Sequence, residues 1–217
     1  MKIRFISRGK LPGEQACEDD GAQLLVYGFG GLGEVSYDKE LKGESDCFER
    51  AARLSKQTKG VVVCGCITDT RGIKRKSALV AENGRLCGVS DMTRVLDGGV
   101  SSGAGLRVYD TKLGKMGVAV AEDVFFPEVV SALAACGSDF IVCPFGILRN
   151  TMPQVLLRSY AYLHGIPIFL CGIGYCMAVE TGGTVSLATP QSPVSFLVEN
   201  RKEFHVLEMR KRGVFET

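Results

Sequence analysis

The sequence has little of what metal-binding, membrane and nucleic-acid proteins need. It holds only two histidines, His164 and His205, among 217 residues. Its cysteines do not make up the shortfall. Cys64-Gly65-Cys66 is too closely spaced for a zinc knuckle, so no metal and no cofactor are expected. The net charge is only +2, too small to imply a nucleic-acid partner or a membrane surface. Long apolar runs are missing too. The longest, such as Ile166 to Cys171, fall far short of a bilayer span. Met1-Lys2-Ile3-Arg4-Phe5-Ile6 alternates charged and apolar residues and lacks the apolar core of a signal peptide. Repeats, low-complexity tracts and linkers are also lacking, which leaves one domain over residues 1–217. A cytoplasmic protein is expected.

What remains is ordinary globular composition, 46% hydrophobic and 23% charged. The nine cysteines are odd in number, and Cys64, Cys66, Cys143 and Cys171 lie in or beside apolar runs. That usage fits free thiols acting as small hydrophobes in a reduced compartment.

Strands and helices alternate. Residues 2–7 and 22–27 are rich in β-branched and aromatic residues and read as strands. Asp46 and Glu49 have the spacing of a capping box, followed by Cys47, Ala51 and Leu54 at helical period. Val61 to Cys64 reads as a buried strand. Residues 76–82 and 85–89 flank Asn83-Gly84, a hairpin turn. Thr151 with Gln154 suggests a second capping box, and Gly165 ends that helix before the strand 166–171. Strands are also expected at 175–180, 184–187, 194–198 and 204–208. The pattern is that of a layered α/β protein.

The segment Val108-Tyr109-Asp110-Thr111-Lys112-Leu113-Gly114-Lys115-Met116-Gly117-Val118-Ala119-Val120-Ala121-Glu122-Asp123-Val124-Phe125-Phe126-Pro127-Glu128 carries the most information. It reads as a hairpin, a buried strand, a sharp turn and a helix opening at Pro127, where a missing N–H costs nothing. This segment resembles the nucleophile region of the nitrilase, or carbon–nitrogen hydrolase, superfamily. There the order is Phe-Asp-Thr, Gly-Lys, Gly-Val, Ile-Cys-Tyr-Asp and Phe-Pro-Glu. Two further stretches are similar to that family: Asn83-Gly84-Arg85-Leu86-Cys87-Gly88, and Gly137-Ser138-Asp139-Phe140-Ile141-Val142-Cys143-Pro144. The likeness covers about residues 60–210. It implies a four-layer α-β-β-α sandwich, a homodimer joined through the helices after residues 126 and 151, and a pocket for a small molecule.

The resemblance also implies a cysteine nucleophile, a glutamate base and a lysine that stabilises the tetrahedral intermediate. This chain departs from all three. The nucleophile position holds Ala121, the base position falls at Phe29, and the lysine position falls at Met92 or Thr93. The expectation is therefore a family member without the Cys-Glu-Lys triad, with a binding, regulatory or scaffold role. The alternative is a hydrolase of amide or nitrile-like C–N bonds using displaced residues, Cys143 with Glu122 or Glu34.

Each displaced candidate has a plainer reading. Cys143, Cys171 and Cys176 fit core thiols. Glu122 fits a solvent-facing or ion-paired residue, and Asp123 fits a cap for the helix that follows. His164 fits a helix-end residue satisfying carbonyls. Lys74-Arg75-Lys76 and Arg210-Lys211-Arg212 fit solvated faces. Gly28-Phe29-Gly30-Gly31-Leu32-Gly33 formally matches a dinucleotide-binding loop, but no amphipathic helix follows it, so a plain loop is expected.

Overall fold

The structure, a computed structural model, describes residues 1–12, 20–96 and 98–199. The strand expected at 204–208 and the basic run 210–212 lie outside them. Two mixed sheets make up the centre. The first contains β1 (Lys2–Ile6), β2 (Leu24–Tyr27), β3 (Gly33–Ser36), β4 (Val61–Thr70), β5 (Ile73–Glu82) and β6 (Arg85–Asp91). The second contains β7 (Val108–Thr111), β8 (Gly114–Val118), β9 (Phe140–Pro144), β10 (Ile168–Gly172), β11 (Tyr175–Val179) and β12 (Val185–Thr189). A last strand, β13 (Val194–Leu197), returns to the first sheet beside β1. The strand orders are β13-β1-β2-β4-β5-β6 and β12-β11-β10-β9-β8-β7.

Strict alternation makes the layers. In β2, Leu24 and Val26 face the second sheet while Leu25 and Tyr27 face outward. Val61 and Val63 in β4 point inward, and Val62 and Cys64 outward. In the second sheet Phe140, Val142, Phe169 and Cys171 point inward, whereas Ile141, Cys143, Ile168 and Leu170 point outward. A period of two with both faces apolar is what a sheet covered on both sides requires.

Helices cover the outer faces. Ala51 and Leu54 of α2 (Cys47–Gln57) pack on Leu25, Val62 and Leu79 of the first sheet. On the second, Val130 and Leu133 of α3 (Pro127–Ala135) and Leu157 and Ala161 of α4 (Met152–His164) cover Ile141, Cys143 and Leu170. The expected α-β-β-α sandwich is therefore the architecture found. Gly137 (φ +86°) and Gly165 (φ +62°) stop α3 and α4 in the left-handed conformation, as their positions suggest.

The caps differ from expectation. Neither Asp46 nor Thr151 makes a side-chain capping bond. The amides of Cys47 and Phe48 donate instead to the two carboxylate oxygens of Glu40, at 3.0 and 3.1 Å. Glu40 belongs to α1 (Tyr37–Lys42), a six-residue helix too short for periodicity to reveal. Met152 N–H donates to Asn150 Oδ1 at 3.0 Å.

Candidate active site

The glycine-rich loop is a strand-to-strand connection. β2 pairs with the first half of β4 and β3 with the second half, both in parallel, so residues 28–32 only carry the chain along one edge. Three of its amides are engaged: Gly28 N–H donates to Ile6, Phe29 N–H to Phe145 and Gly31 N–H to Gly28. Close packing explains the glycines. A Cβ at Gly28 would lie 2.7 Å from the Gly172 carbonyl oxygen, and one at Gly31 would lie 2.5 Å from Cys64 Sγ. The loop thereby seats Phe29 over Gly65 and beside Phe145.

The segment singled out in the sequence behaves as its residues suggest. β7 and β8 form the hairpin, β8 lies parallel to β9, and a 3₁₀ turn over Ala121–Phe125 leads to Pro127 and α3. Ala121 heads that turn at φ +49°, a left-handed conformation disfavoured by roughly 1–2 kcal/mol in a residue with a Cβ. Such a turn throws the residue at the strand end out of the sheet. Ala121 accordingly forms part of the wall of a cavity of about 570 Å³ that also includes Phe29, Lys76, Glu122, Phe125 and Phe145.

Two residues hold that elbow. Asp123 is fully buried and is not a helix cap. It accepts hydrogen bonds from the Thr93 amide (3.0 Å), the Thr93 hydroxyl (2.9 Å) and the Arg94 amide (2.9 Å), stapling the 93–94 segment under the turn. Burial pushes its carboxyl up from the ordinary range, and the Thr93 and Arg94 donors oppose that shift. Glu122 reaches into the cavity and binds Lys76 Nζ through Oε1, while Oε2 is buried with no hydrogen-bond partner. Both side chains are about a quarter exposed or less.

Lys76 corrects the expectation of a solvated basic run. It shares the inward face of β5 with Ala78 and Val80, and its cross-strand partner in β4 is Ile67, another lining residue. The signal lay in the sequence: Lys76, Ala78 and Val80 alternate along one strand, and that face is buried. Of the other two cations of the run, Lys74 is exposed and pairs with Glu34 (2.9 Å), while Arg75 is half-buried near Asp91 (3.9 Å).

The remaining candidates scatter. Cys143 is fully buried on the outward face of β9, under α3 and α4, and is not among the lining residues. Burial, and then the neighbouring Asp123 carboxylate, push its thiol well above the ordinary range. Glu34 is exposed in β3, with its carboxylate oxygen on Lys74. Met92 is buried in the core between the sheets, and Thr93 lines a separate, shallower depression. Cys171 and Cys176 face each other across β10 and β11 in the same core. His164 Nε2 lies 3.2 Å from Ser131 Oγ, between α4 and α3 and not at a helix-end carbonyl. The cavity thus brings together Phe29, Ala121, Glu122 and a lysine the sequence had assigned elsewhere, without a thiol among the described residues. No cluster suited to a metal occurs among the described residues.

The fold has counterparts among known proteins. The family model for carbon–nitrogen hydrolases matches residues 33–192. No curated protein matches the sequence. Among solved structures, a cysteine-to-alanine mutant of an amidase from Nesterenkonia AN1, of the nitrilase superfamily, superposes with a TM-score of 0.73 at 19% identity. The match covers 90% of this chain and 88% of that one. Nit3 of Saccharomyces cerevisiae, from branch 10 of the superfamily, gives 0.71 at 16% identity, over 90% and 88% of the two chains. A carbon–nitrogen hydrolase of Helicobacter pylori G27 gives 0.67 at 16% identity, over 80% and 77%. At these identities the likeness is one of fold.

Proposed function

Because the chain belongs to the carbon–nitrogen hydrolase family, yet carries a methyl group at its strand-end elbow, we propose that it is a non-catalytic member that binds a small molecule in the elbow cavity, in a regulatory or scaffold role. The observation that carries this reading is Ala121 itself, held at φ +49° in the cavity wall with no sulfur among the described lining residues. Acyl transfer from an amide or nitrile in this family's manner needs a nucleophile within bonding reach of the carbon. A methyl group supplies none, and Cys143 lies on the wrong face of its sheet.

Binding without that chemistry has a parallel among the related folds. A double mutant of the Nesterenkonia amidase, with a glutamate changed to glutamine and a cysteine to alanine, was solved in complex with acrylamide. The glutamate-to-glutamine mutant of the same amidase, which retains its active-site cysteine, shows Michael addition of acrylamide there. The alternative, hydrolysis by displaced residues, has the Lys76–Glu122 pair in its favour but lacks a nucleophile beside it.

We further infer a homodimer. The outer side of α4 presents Met152, Val155, Tyr162 and Leu163, all more than a third exposed, a surface suited to a second copy. Cytoplasmic residence accords with eight free cysteines among the described residues. No helix of those residues is long and apolar enough to cross a membrane.

Ammonia release from a panel of small amides and nitriles tests the central reading. No turnover above a heat-denatured control is expected. Turnover abolished by Cys143→Ser or Glu122→Gln would establish the hydrolase instead. Light scattering on a size-exclusion column is expected to give twice 23.3 kDa.

A further inference from the structure

The charges around the cavity define what it selects. Deep in the cavity Lys76 and Glu122 neutralise each other. At the mouth, on the loop between β9 and α4, stands Arg149, an exposed lining residue without a hydrogen bond or ion pair to any described residue. Among the described residues the lining therefore carries one uncompensated positive charge, and it lies at the solvent end. The walls between are predominantly apolar, with Phe29, Phe125 and Phe145 on one side; the rings of Phe125 and Phe145 meet edge-on at 6.3 Å. A cavity of about 570 Å³ falls in the range that encloses a small organic ligand.

We propose that this cavity takes a small organic monocarboxylate with an aromatic or branched apolar body. The body lies against the phenylalanines and the carboxylate is held at the mouth by Arg149. A guanidinium presents paired N–H donors whose spacing matches the two oxygens of a carboxylate. One uncompensated cation balances one anion, which favours a monoanion over a phosphate dianion. A ligand cation is disfavoured, because Glu122 already has its counter-ion and Arg149 would repel it. The proposal rests on the reading of the cavity as a binding site, and it adds the class of ligand and the residue that selects it.

The test uses 3-phenylpropionate and its amide, 3-phenylpropionamide, on the full-length protein, by titration calorimetry with ammonia release followed in parallel. The acid is expected to bind at least about tenfold more tightly than the amide, since only the acid carries the charge. Arg149→Met should weaken the acid about tenfold and leave the amide unchanged, while Arg149→Lys should keep part of the affinity. Equal affinity for acid and amide, an acid affinity indifferent to Arg149→Met, or no binding of either probe would overturn the proposal. The two readings fail separately. Ammonia from the amide together with Arg149-dependent acid binding sinks only the non-catalytic reading. A silent amide without acid binding sinks only the present one.

Discussion

Replacing Ala121 by cysteine is the sharpest test of the elbow. The variant places a thiol in the cavity wall, within the field of the Lys76 ammonium. The native thiols offer an internal standard. Burial pushes the Cys176 thiol up to about 11 from an ordinary 9.0, and Cys64, Cys66, Cys143 and Cys171 are pushed further still. At pH 7 a thiol of pKa 11 is ionised to about one part in 10⁴, against one in 10² for an ordinary thiol. Thiolate is the reacting form, so Ala121→Cys should alkylate about a hundredfold faster than Cys176. Iodoacetamide labelling followed by intact mass measures this directly, with Cys17 and the exposed Cys87 and Cys136 changed to serine. Amide hydrolysis should not return if, as the family resemblance implies, Phe29 stands at the base position and Met92 or Thr93 at the lysine position. Labelling of residue 121 only after unfolding would remove the elbow from the cavity and refute the reasoning.

Three further outcomes follow from the packing. Lys76→Met and Glu122→Gln should each destabilise the fold by about 1–3 kcal/mol, and the double variant by less than the sum; additive losses in urea unfolding would show that the pair is uncoupled. Cys64, Cys66, Cys143, Cys171 and Cys176, five of the six buried thiols among the described residues, should make the fold alkali-sensitive. Their native pKa values lie above the unfolded value of 9.0, so their contribution is complete below pH 9, where both states are protonated. It is lost as pH rises through the native values, about 11 for Cys176, at up to about 1.4 kcal/mol per thiol per pH unit. A melting temperature flat from pH 8.5 to 10.5 would contradict that sign. Gly31→Ala should destabilise by about 1–3 kcal/mol, as its Cβ would lie 2.5 Å from Cys64 Sγ and 2.9 Å from Tyr27 Cβ; a fully stable variant in thermal unfolding would count against the tight loop.

The sandwich was legible because its signals are local and redundant. Alternation in β2, β4, β9 and β10, a proline opening α3 and glycines closing α3 and α4 all point the same way. The elbow was legible too, through the run from Val108 to Glu128. What escaped depended on contacts remote in sequence. Lys76 and Glu122 are 46 residues apart, and only the stacking of the two sheets makes them neighbours. Asp123 looked like a helix cap because the donors it serves, Thr93 and Arg94, come from the other sheet's exit loop. Glu40 caps α2 from eight residues upstream, beyond the three-residue spacing of a capping box. Cys143 seemed a candidate because adjacent strands do end together. Counting its parity against Phe140 and Val142 assigns it to the outer face, but which face lines the cavity is a tertiary fact.

Asp123 has a consequence of its own. The unusual backbone at residue 121 is imposed by a buried carboxylate two positions downstream, which clamps the turn onto a loop of the opposite sheet. The frame of this site is consequently independent of whatever side chain occupies its apex. A thiol can be introduced there by one substitution while the surrounding walls keep their shape.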